Sequence, residues 1–237
     1  MAHLISNILA AYIILFAPWL GCIFYEKARK RFLSGDRMAK LTFYRQGVVE
    51  QLLTTTVVLG MWRFGGVSRS SLGIRAPYSW RWTMAGLVVL GALLFWSAAR
   101  SRQKAGKIRQ RYQDSLGMLF PDSPRERTWF GALSVGAGIS EELVFRGFLF
   151  YYLGAYIPHI NTLEKIILTS LFFGMAHVYQ GWKQAIPTSI VGLLLALMYV
   201  FSGSLLLPIV VHAITDWRLL IILPPESSRA AALEGAA

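Results

Sequence analysis

Residues 130–155 have the sequence FGALSVGAGISEELVFRGFLFYYLGA. The stretch is mostly apolar and exceeds the roughly 20 residues that a transmembrane helix needs to cross the hydrocarbon core. Glu141, Glu142 and Arg146 interrupt it near its centre. Each charge at the bilayer centre costs roughly 2.5–3.5 kcal/mol on insertion scales, so such residues are candidates for a functional site. The stretch therefore predicts a membrane-embedded fold with a polar site inside it.

The whole chain has the composition that lipid selects as a solvent. Of its 237 residues, 55% are hydrophobic and 15% are charged, whereas soluble domains are about 45–50% apolar and about 25% charged. Six further stretches are predicted to span the membrane, at about 3–25, 46–62, 83–98, 163–182, 184–202 and 204–223. We therefore expect an all-α fold, a polytopic transmembrane helical bundle of about seven spans in the lipid bilayer.

The net charge of +12 comes from 24 Lys and Arg against 12 Asp and Glu. The cations are concentrated in the first three loops, with seven in residues 26–45, four in residues 63–82 and eight in residues 99–129. Short basic loops orient membrane proteins with the positive side in the cytoplasm. Topology thus explains the charge, and no nucleic-acid partner is predicted. With the first and third loops in the cytoplasm, the N-terminus is expected outside and the C-terminus inside.

Residues 99–120 are predicted to contain a basic interfacial helix. Ile108, Tyr112, Leu116 and Leu119 follow helical spacing on a strongly basic background, which is typical of an amphipathic helix lying on a membrane surface. The alternative is a solvated extension of the third span.

The charges of the fourth predicted span divide into two groups. Glu142 and Arg146 are four residues apart, so they share one helix face and can neutralise one another. Glu141 is rotated from Glu142 by about 100° and is free to face a different neighbour. A buried ion-pair clamp between helices would account for Glu142 and Arg146 but would leave Glu141 unexplained.

Two other predicted spans carry histidines. His177 lies in the fifth span, and His212 lies in the seventh, between Pro208 and Asp216 at spacings of four. Pro208 can bend the helix and free a backbone carbonyl. Asp216 can hydrogen-bond the ring of His212 and fix its tautomer. Glu, His, His and Asp residues on three separate spans favour a site over isolated core residues.

Glu141, His177 and His212 could support two kinds of hydrolysis. In the first, Glu141 and His177 take a proton from a water molecule that attacks a peptide carbonyl, while His212 donates to the developing oxyanion. In the second, the three residues ligate a zinc ion that activates the water. The chain lacks the His-Glu-x-x-His motif of zinc proteases. We therefore favour the first mechanism, without a cofactor, and keep zinc as the alternative.

These residues resemble the CPBP family of intramembrane proteases, which includes the CAAX prenyl endopeptidases and bacteriocin-processing or immunity proteins. The family's patterns are Glu-Glu-x-x-x-Arg, Phe-x-x-x-His, and His followed four residues later by Asn or a substitute. In this chain they are matched, in that order, by Glu141-Glu142 with Arg146, by Phe173 with His177, and by His212 with Asp216. The resemblance covers roughly residues 123–223, and a loop at 72–77 is also similar.

The resemblance implies an intramembrane endopeptidase that cleaves a membrane-associated protein or lipidated peptide, with a prenylated CAAX-type substrate as one option. It implies that Glu141 and His177 activate water, and that His212 and residue 216 stabilise the oxyanion. Asp216 replaces the commoner Asn, and an ionised Asp cannot donate a hydrogen bond. Asp216 is therefore either protonated or serves to orient His212. The alternatives are a non-catalytic membrane partner or immunity-type protein of the same family, and a proton-coupled transporter.

Two local patterns predict where helices begin. Ser123 and Asn161 are each followed three residues later by a glutamate, as in a capping box. We expect N-terminal transmembrane helices with basic loops at 1–122, a CPBP-like protease core at 123–223 and a C-terminal tail at 224–237.

Overall fold

The computed structural model describes residues 2–224, without the side chains of residues 2 and 111–115. Every regular element in this range is a helix, and no strand occurs among the described residues. The predicted all-α fold class is confirmed. Residues 225–237 of the predicted tail and the side chain of Tyr112 lie outside the described part of the chain.

The helices follow one another with short connections. In chain order they are α1 (Ala2–Ala11), α2 (Ala17–Leu33), α3 (Ala39–Phe64), α4 (Trp80–Arg102), α5 (Ala105–Leu116), α6 (Pro124–Glu142), α7 (Phe150–Tyr156), α8 (Thr162–Ala176), α9 (Trp182–Ser202), α10 (Leu206–Trp217) and α11 (Leu219–Ile222). A π-helical turn at Tyr12–Phe16 joins α1 to α2, and another at Leu143–Leu149 joins α6 to α7. Short 3-10 turns at Gly117–Leu119 and Val178–Gln180 follow α5 and α8.

Three helical segments of the described chain are long and apolar enough to cross a membrane. They are His3–Leu33, Trp80–Arg102 and Trp182–Ser202, which match the first, third and sixth predicted spans. In contrast, α8 has 15 residues and α10 has 12. At about 1.5 Å per residue these helices are about 22 and 18 Å long, shorter than a hydrocarbon core of about 30 Å. The chain is thus a helical membrane protein, and the count of seven spans stays a prediction.

Both predicted helix starts are present. The Ser123 hydroxyl accepts a hydrogen bond from the Glu126 backbone N–H, and the Glu126 carboxylate accepts one from the Ser123 N–H. Asn161 and Glu164 form the same reciprocal pair at the start of α8. Each box satisfies two backbone donors that a helix otherwise leaves unpaired. These caps fix where the two helices that carry Glu141 and Phe173 begin.

The basic segment forms a helix of its own. A turn at residues 103–104 separates α5 from α4, so the alternative of a continuous extension of the third span is wrong. Ile108 and Leu116 pack against an apolar cluster that includes Ala98 of α4 and Leu223. Part of the apolar side of α5 therefore rests on protein, and its position at a membrane surface stays a prediction.

Asp122 connects three elements just before α6. Its carboxylate contacts the ammonium group of Lys40 in α3 and pairs with Arg109 of α5 at 2.6 Å. Lys40, which is itself buried, also donates to the Phe120 carbonyl at 2.8 Å. Burial raises the pKa of Asp122, but the contacts with Lys40 and Arg109 outweigh it and hold the pKa below its usual range.

The helix α6 lies between α3 and α10 and packs against both. Gly138 makes the contact with α10 possible. A Cβ atom at this position would lie 2.8 Å from the Ile209 carbonyl oxygen and 2.8 Å from the Cβ atom of Ala213, well inside the ordinary contact distance between heavy atoms. His212 lies on the same stretch of α10. The missing side chain of Gly138 therefore determines how closely His212 approaches the carboxylates one turn further along α6.

Two further contacts join distant parts of the chain. Arg127, in the first turn of α6, donates to the carbonyl oxygen of Leu223 at 2.6 Å and to that of Leu220. These carbonyls end the last described helix, where no intrahelical donor remains. The predicted loop at 72–77 docks on the α9–α10 connection, where Arg75 donates to the Gly203 carbonyl at 2.5 Å.

Candidate active site

Three helices bring the candidate residues together. Glu141 and Glu142 are the last two residues of α6, His177 directly follows α8, and His212 lies in α10. The chain positions of these residues are far apart, so only the packing of α6, α8 and α10 creates the cluster. Asp216 lies one turn beyond His212 on α10.

Glu142 and Arg146 form the predicted ion pair. Both side chains are completely buried, and the Arg146 Nη1 donates to the Glu142 Oε1 at 2.9 Å. Arg146 also donates to the Gly192 carbonyl at 2.7 Å, and its guanidinium lies 4.5 Å from the ring centroid of Phe173. The π-helical turn that contains Arg146 was not predicted, although such turns are frequent at functional sites. The pair connects α6, α8 and α9 through buried contacts.

Glu142 has a second role that the sequence pattern did not predict. Its Oε1 lies 2.8 Å from the Nδ1 of His212 in a buried hydrogen bond. We predicted that Asp216 would fix the ring of His212. Asp216 instead faces the other ring nitrogen, Nε2, at 3.6 Å, which is an ion-pair distance rather than a hydrogen bond. Glu142 is therefore the residue that orients His212.

Glu141 faces away from this pair, as its rotation by one residue predicts. Its Oε2 lies 3.5 Å from the Nε2 of His177 and 3.9 Å from the Nε2 of His212. This oxygen is buried and makes no hydrogen bond to any described residue. A carboxylate oxygen this close to two ring nitrogens, but without a hydrogen bond to either, can share a water molecule that lies beside them.

The spacing of Phe173 and His177 has a local physical basis. The Nδ1 of His177 lies 2.8 Å from the carbonyl oxygen of Phe173, four residues earlier in α8. A carbonyl oxygen only accepts, so the ring donates from Nδ1 and presents Nε2 to Glu141. The ring of Phe173 lies between the two histidines, with centroids 4.7 Å from that of His177 and 5.7 Å from that of His212. Phe173 thus holds both rings in place.

The side chains of the site differ in exposure. His212 is 5% exposed, His177 15%, Glu141 24% and Asp216 40%. The cluster is therefore open on the side of Asp216 and closed at Glu142.

Two features differ from the sequence predictions or lie outside them. Pro208 lies in the first turn of α10, where its missing N–H leaves no helical bond unmade, so it does not bend the helix. Tyr179 was not predicted, yet its ring stacks on that of His177 with centroids 6.0 Å apart. A tyrosine two residues after a histidine gives no signal by itself. The contact depends on the 3-10 turn that follows α8.

A metal site of the zinc type needs at least three ligand side chains around one point. Among the residues that it describes, no group of three or more His, Cys, Asp or Glu side chains is arranged to hold a metal ion.

Comparison with known proteins agrees with the motifs. Residues 124–218 match the family model described as type II CAAX prenyl endopeptidase, Rce1-like. This range contains every candidate residue of the site, and the predicted resemblance is confirmed. No curated protein and no solved structure matches the chain.

Proposed function

We propose that this chain, whose residues 124–218 are Rce1-like, is an intramembrane endopeptidase that hydrolyses a peptide bond of a membrane-associated protein. The observation that carries the proposal is the position of the Glu141 carboxylate, with its Oε2 3.5 Å from His177 and 3.9 Å from His212. Hydrolysis needs a base for water and a donor for the oxyanion on either side of one reacting carbon. The two rings beside Glu141 suit these roles.

Glu141 and His177 would act together on the attacking water. Because His177 donates from Nδ1 to the Phe173 carbonyl, its Nε2 carries a lone pair directed towards the Glu141 oxygen. Two acceptors this far apart can each receive one hydrogen of the same water molecule. The water oxygen is then aligned and made more nucleophilic, and either acceptor can take its proton.

His212 would stabilise the oxyanion as an imidazolium. Its Nδ1–H is engaged by Glu142, so it can donate to an oxyanion only from Nε2, and both nitrogens carry protons only in the charged ring. Glu142 and Asp216 provide negative charge on either side of this ring. Asp216 would thus act as a counter-ion to His212, a role that does not require it to donate a hydrogen bond.

The proposed reaction proceeds in two steps. The water oxygen attacks the peptide carbonyl carbon, its proton passes to Glu141, and the carbonyl electrons form an oxyanion that accepts from His212. The oxyanion then collapses, the carbon–nitrogen bond breaks, and Glu141 returns the proton to the leaving amine. Water is consumed, and one new carboxylic acid and one new amine are released, which become a carboxylate and an ammonium group when the acid proton passes to the amine. No cofactor takes part, and zinc bound by the same three residues is the alternative mechanism.

The family match supports the substrate class that we propose. A lipidated protein, in particular one with a prenylated CAAX terminus, is the substrate that we propose. We also propose the topology predicted by the loop charges, with the N-terminus outside and the C-terminus in the cytoplasm. The basic loop at residues 99–129, which includes the start of α6, would then lie on the cytoplasmic side.

A cleavage assay with the purified chain in proteoliposomes tests the proposal. The probes are a farnesylated CAAX peptide and the same peptide without the farnesyl group. We expect cleavage of the farnesylated peptide, and a rate at least about 1,000-fold lower for Glu141→Gln, since removal of a general base costs roughly 10²–10⁴-fold. The matched control is Glu50→Gln, which removes an exposed carboxylate on α3 outside the site.

Three outcomes of this assay would count against the proposal. Full activity of the folded Glu141→Gln protein would exclude the assigned base. Loss of activity in a strong chelator that zinc restores would replace the metal-free mechanism by the zinc alternative. Binding of the peptide without turnover by the wild-type protein would favour a non-catalytic membrane partner.

A further inference from the structure

A long apolar groove lies on the surface of the bundle, apart from the candidate active site. It has a volume of about 1070 Å³ and runs along α6 between α3 on one side and α10 and α11 on the other. Its walls include Leu52, Val135, Ile139 and Trp217, which are exposed hydrophobic side chains. None of Glu141, His177 and His212 lines it. In a bilayer such a groove is occupied by a hydrocarbon chain.

The length of the groove matches one leaflet of a membrane. Its lining residues on α6 run from Arg127 to Ile139, which is about 18 Å at 1.5 Å per residue. Half of a hydrocarbon core of about 30 Å is about 15 Å. One acyl chain of a single leaflet can therefore lie along the groove from end to end.

One end of the groove is cationic. Arg102, at the C-terminal end of α4, and Arg127, at the start of α6, both line it there. The two come together because Leu223, whose carbonyl Arg127 binds, packs in a cluster with Ala98 and Ala105 on either side of Arg102. No carboxylate of the described residues pairs with either guanidinium, and none lines the groove.

Arg127 lies close enough to Arg102 for the two charges to interact. Arg127 precedes the predicted span that begins at residue 130. Burial and the charge of Arg102 both lower the pKa of its guanidinium, as expected of two cations held close together. The two carbonyl groups bound by Arg127 use two of its five N–H donors. The remaining donors and those of Arg102 can bind the oxygens of an anion.

We propose that this groove is a binding site for one anionic glycerophospholipid, with its phosphate at Arg102 and Arg127 and an acyl chain along α6 towards Ile139. The charge of the arginines selects the headgroup, and the apolar walls bind the chain. Basic pockets between transmembrane helices are known to hold anionic headgroups in this way.

The lipid anchor of a substrate fits the groove less well. The cleaved bond of an anchored substrate must lie at Glu141, beyond the Ile139 end, so its apolar anchor would extend towards Arg102 and Arg127. Hydrocarbon would then surround two cations that no carboxylate of the described residues neutralises. An anionic lipid of the bilayer has the opposite polarity and places its charge where the cations are.

Binding of lipids to the full-length chain in detergent, measured by native mass spectrometry, tests the proposal. The probes are phosphatidylglycerol and phosphatidylcholine with identical acyl chains. Each basic residue near an anionic headgroup contributes about fivefold in affinity. We therefore expect phosphatidylglycerol to bind at least about fivefold more tightly than phosphatidylcholine, and Arg102→Gln to lose about fivefold for phosphatidylglycerol alone.

The matched control is Arg100→Gln. Arg100 lies on the same turn of α4 and carries the same charge, but it stacks on Trp96 and does not line the groove. We expect its affinity for phosphatidylglycerol to stay within about twofold of the wild type, because only local charge contributes strongly at this range. Ala132→Phe, which fills the groove at its middle, is expected to weaken both lipids.

The proposal would be overturned if the two lipids bound equally, if Arg100→Gln lost as much affinity as Arg102→Gln, or if Ala132→Phe changed neither affinity. The result is independent of catalysis, because Glu141→Gln should bind phosphatidylglycerol like the wild type. Lipid selectivity in a chain that cleaves no peptide would contradict the proposed function alone. A farnesylated peptide that competes for the groove, and whose binding Arg102→Gln leaves unchanged, would assign the groove to the substrate instead.

Discussion

Glu141 and Glu142 are adjacent in the chain but lie in two different regions of the site. Glu142 is completely buried and contacts Arg146 at 2.9 Å and His212 at 2.8 Å. Glu141 is 24% exposed, and its nearest ring nitrogens lie at 3.5 and 3.9 Å. Each carboxylate keeps one buried oxygen without a hydrogen bond to a described residue, but the other oxygen of Glu142 is bound by both Arg146 and His212, whereas the ring nitrogens nearest to Glu141 lie farther away. We infer that Glu142 holds the site together and that Glu141 reacts.

The largest effect is expected when the buried contacts of Glu142 are removed. Arg146→Met leaves the buried Glu142 without its arginine partner, and removal of one partner of a buried pair costs about 3–5 kcal/mol. Thermal unfolding of the purified protein in detergent should show a strongly lowered midpoint. The double variant Glu142→Gln with Arg146→Met removes both charges and should recover part of the loss. An unchanged midpoint for Arg146→Met would show that the pair has no structural role.

A smaller effect, on activity rather than stability, is expected when a residue beside Glu141 is changed. His177→Phe keeps a ring of similar size against Phe173 and Tyr179 but removes the Nε2 beside Glu141. We expect the rate of peptide cleavage to fall about 100-fold, equivalent to about 2.7 kcal/mol. The unfolding midpoint should change little. A fall in stability without a change in rate would mean that His177 stabilises the fold instead of taking part in the reaction.

Asp216 contacts His212, which lies near both Glu142 and Glu141, so a substitution of Asp216 tests both parts of the site. Asp216→Asn keeps the shape of the side chain and removes the charge that lies 3.6 Å from the Nε2 of His212. Because Asp216 is 40% exposed, water weakens this interaction, and we expect a loss of at most about tenfold in kcat with KM unchanged. A gain in activity would contradict the counter-ion role, since it would mean that an amide donor at position 216 serves the reaction better.

The smallest effect is expected for Asp122, which forms ion pairs with Lys40 and Arg109 outside the candidate site. The pKa of Asp122 is lowered in the folded protein, so its contribution to stability is present above the ordinary pKa of about 3.9 and is lost as the pH falls through the lowered value. Asp122→Asn should lower the free energy of unfolding by about 1 kcal/mol at pH 6. The difference from the wild type should shrink as the pH is lowered to about 3. A difference that stays constant with pH would mean that packing rather than charge is involved.

Local patterns predicted much of the helical fold. The capping boxes at Ser123 and Asn161 are made by residues three apart, so the sequence contains all the information that they need. The apolar windows likewise predicted the three helices that can cross a membrane. The shortness of α10 was not predicted: the helix begins at Leu206, after Gly203 with φ of +69°, and ends at Trp217, before the end of the predicted span at residue 223.

The sequence predicted which residues form the candidate site, but it did not predict which of them contact each other. The spacing of Glu142 and Arg146 gave their pairing because both lie on one helix. The partner of His212 could not be deduced in this way, since Asp216 is its neighbour in the sequence and Glu142 is its neighbour only after α10 packs on α6. That packing depends on the missing side chain of Gly138, whose effect lies in contacts with Ile209 and Ala213 rather than in any periodic pattern.

The hydrogen bonds of Arg127 have a consequence for how the chain is assembled. They fasten the beginning of α6 to the carbonyls of Leu220 and Leu223, so the chain enters and leaves the residues that carry the site at the same place. A segment whose two ends meet can be joined to other helices, or have its order of helices rearranged, without moving its interior. The same arrangement of Glu141, His177 and His212 can therefore be carried by proteins whose remaining helices differ in number and direction.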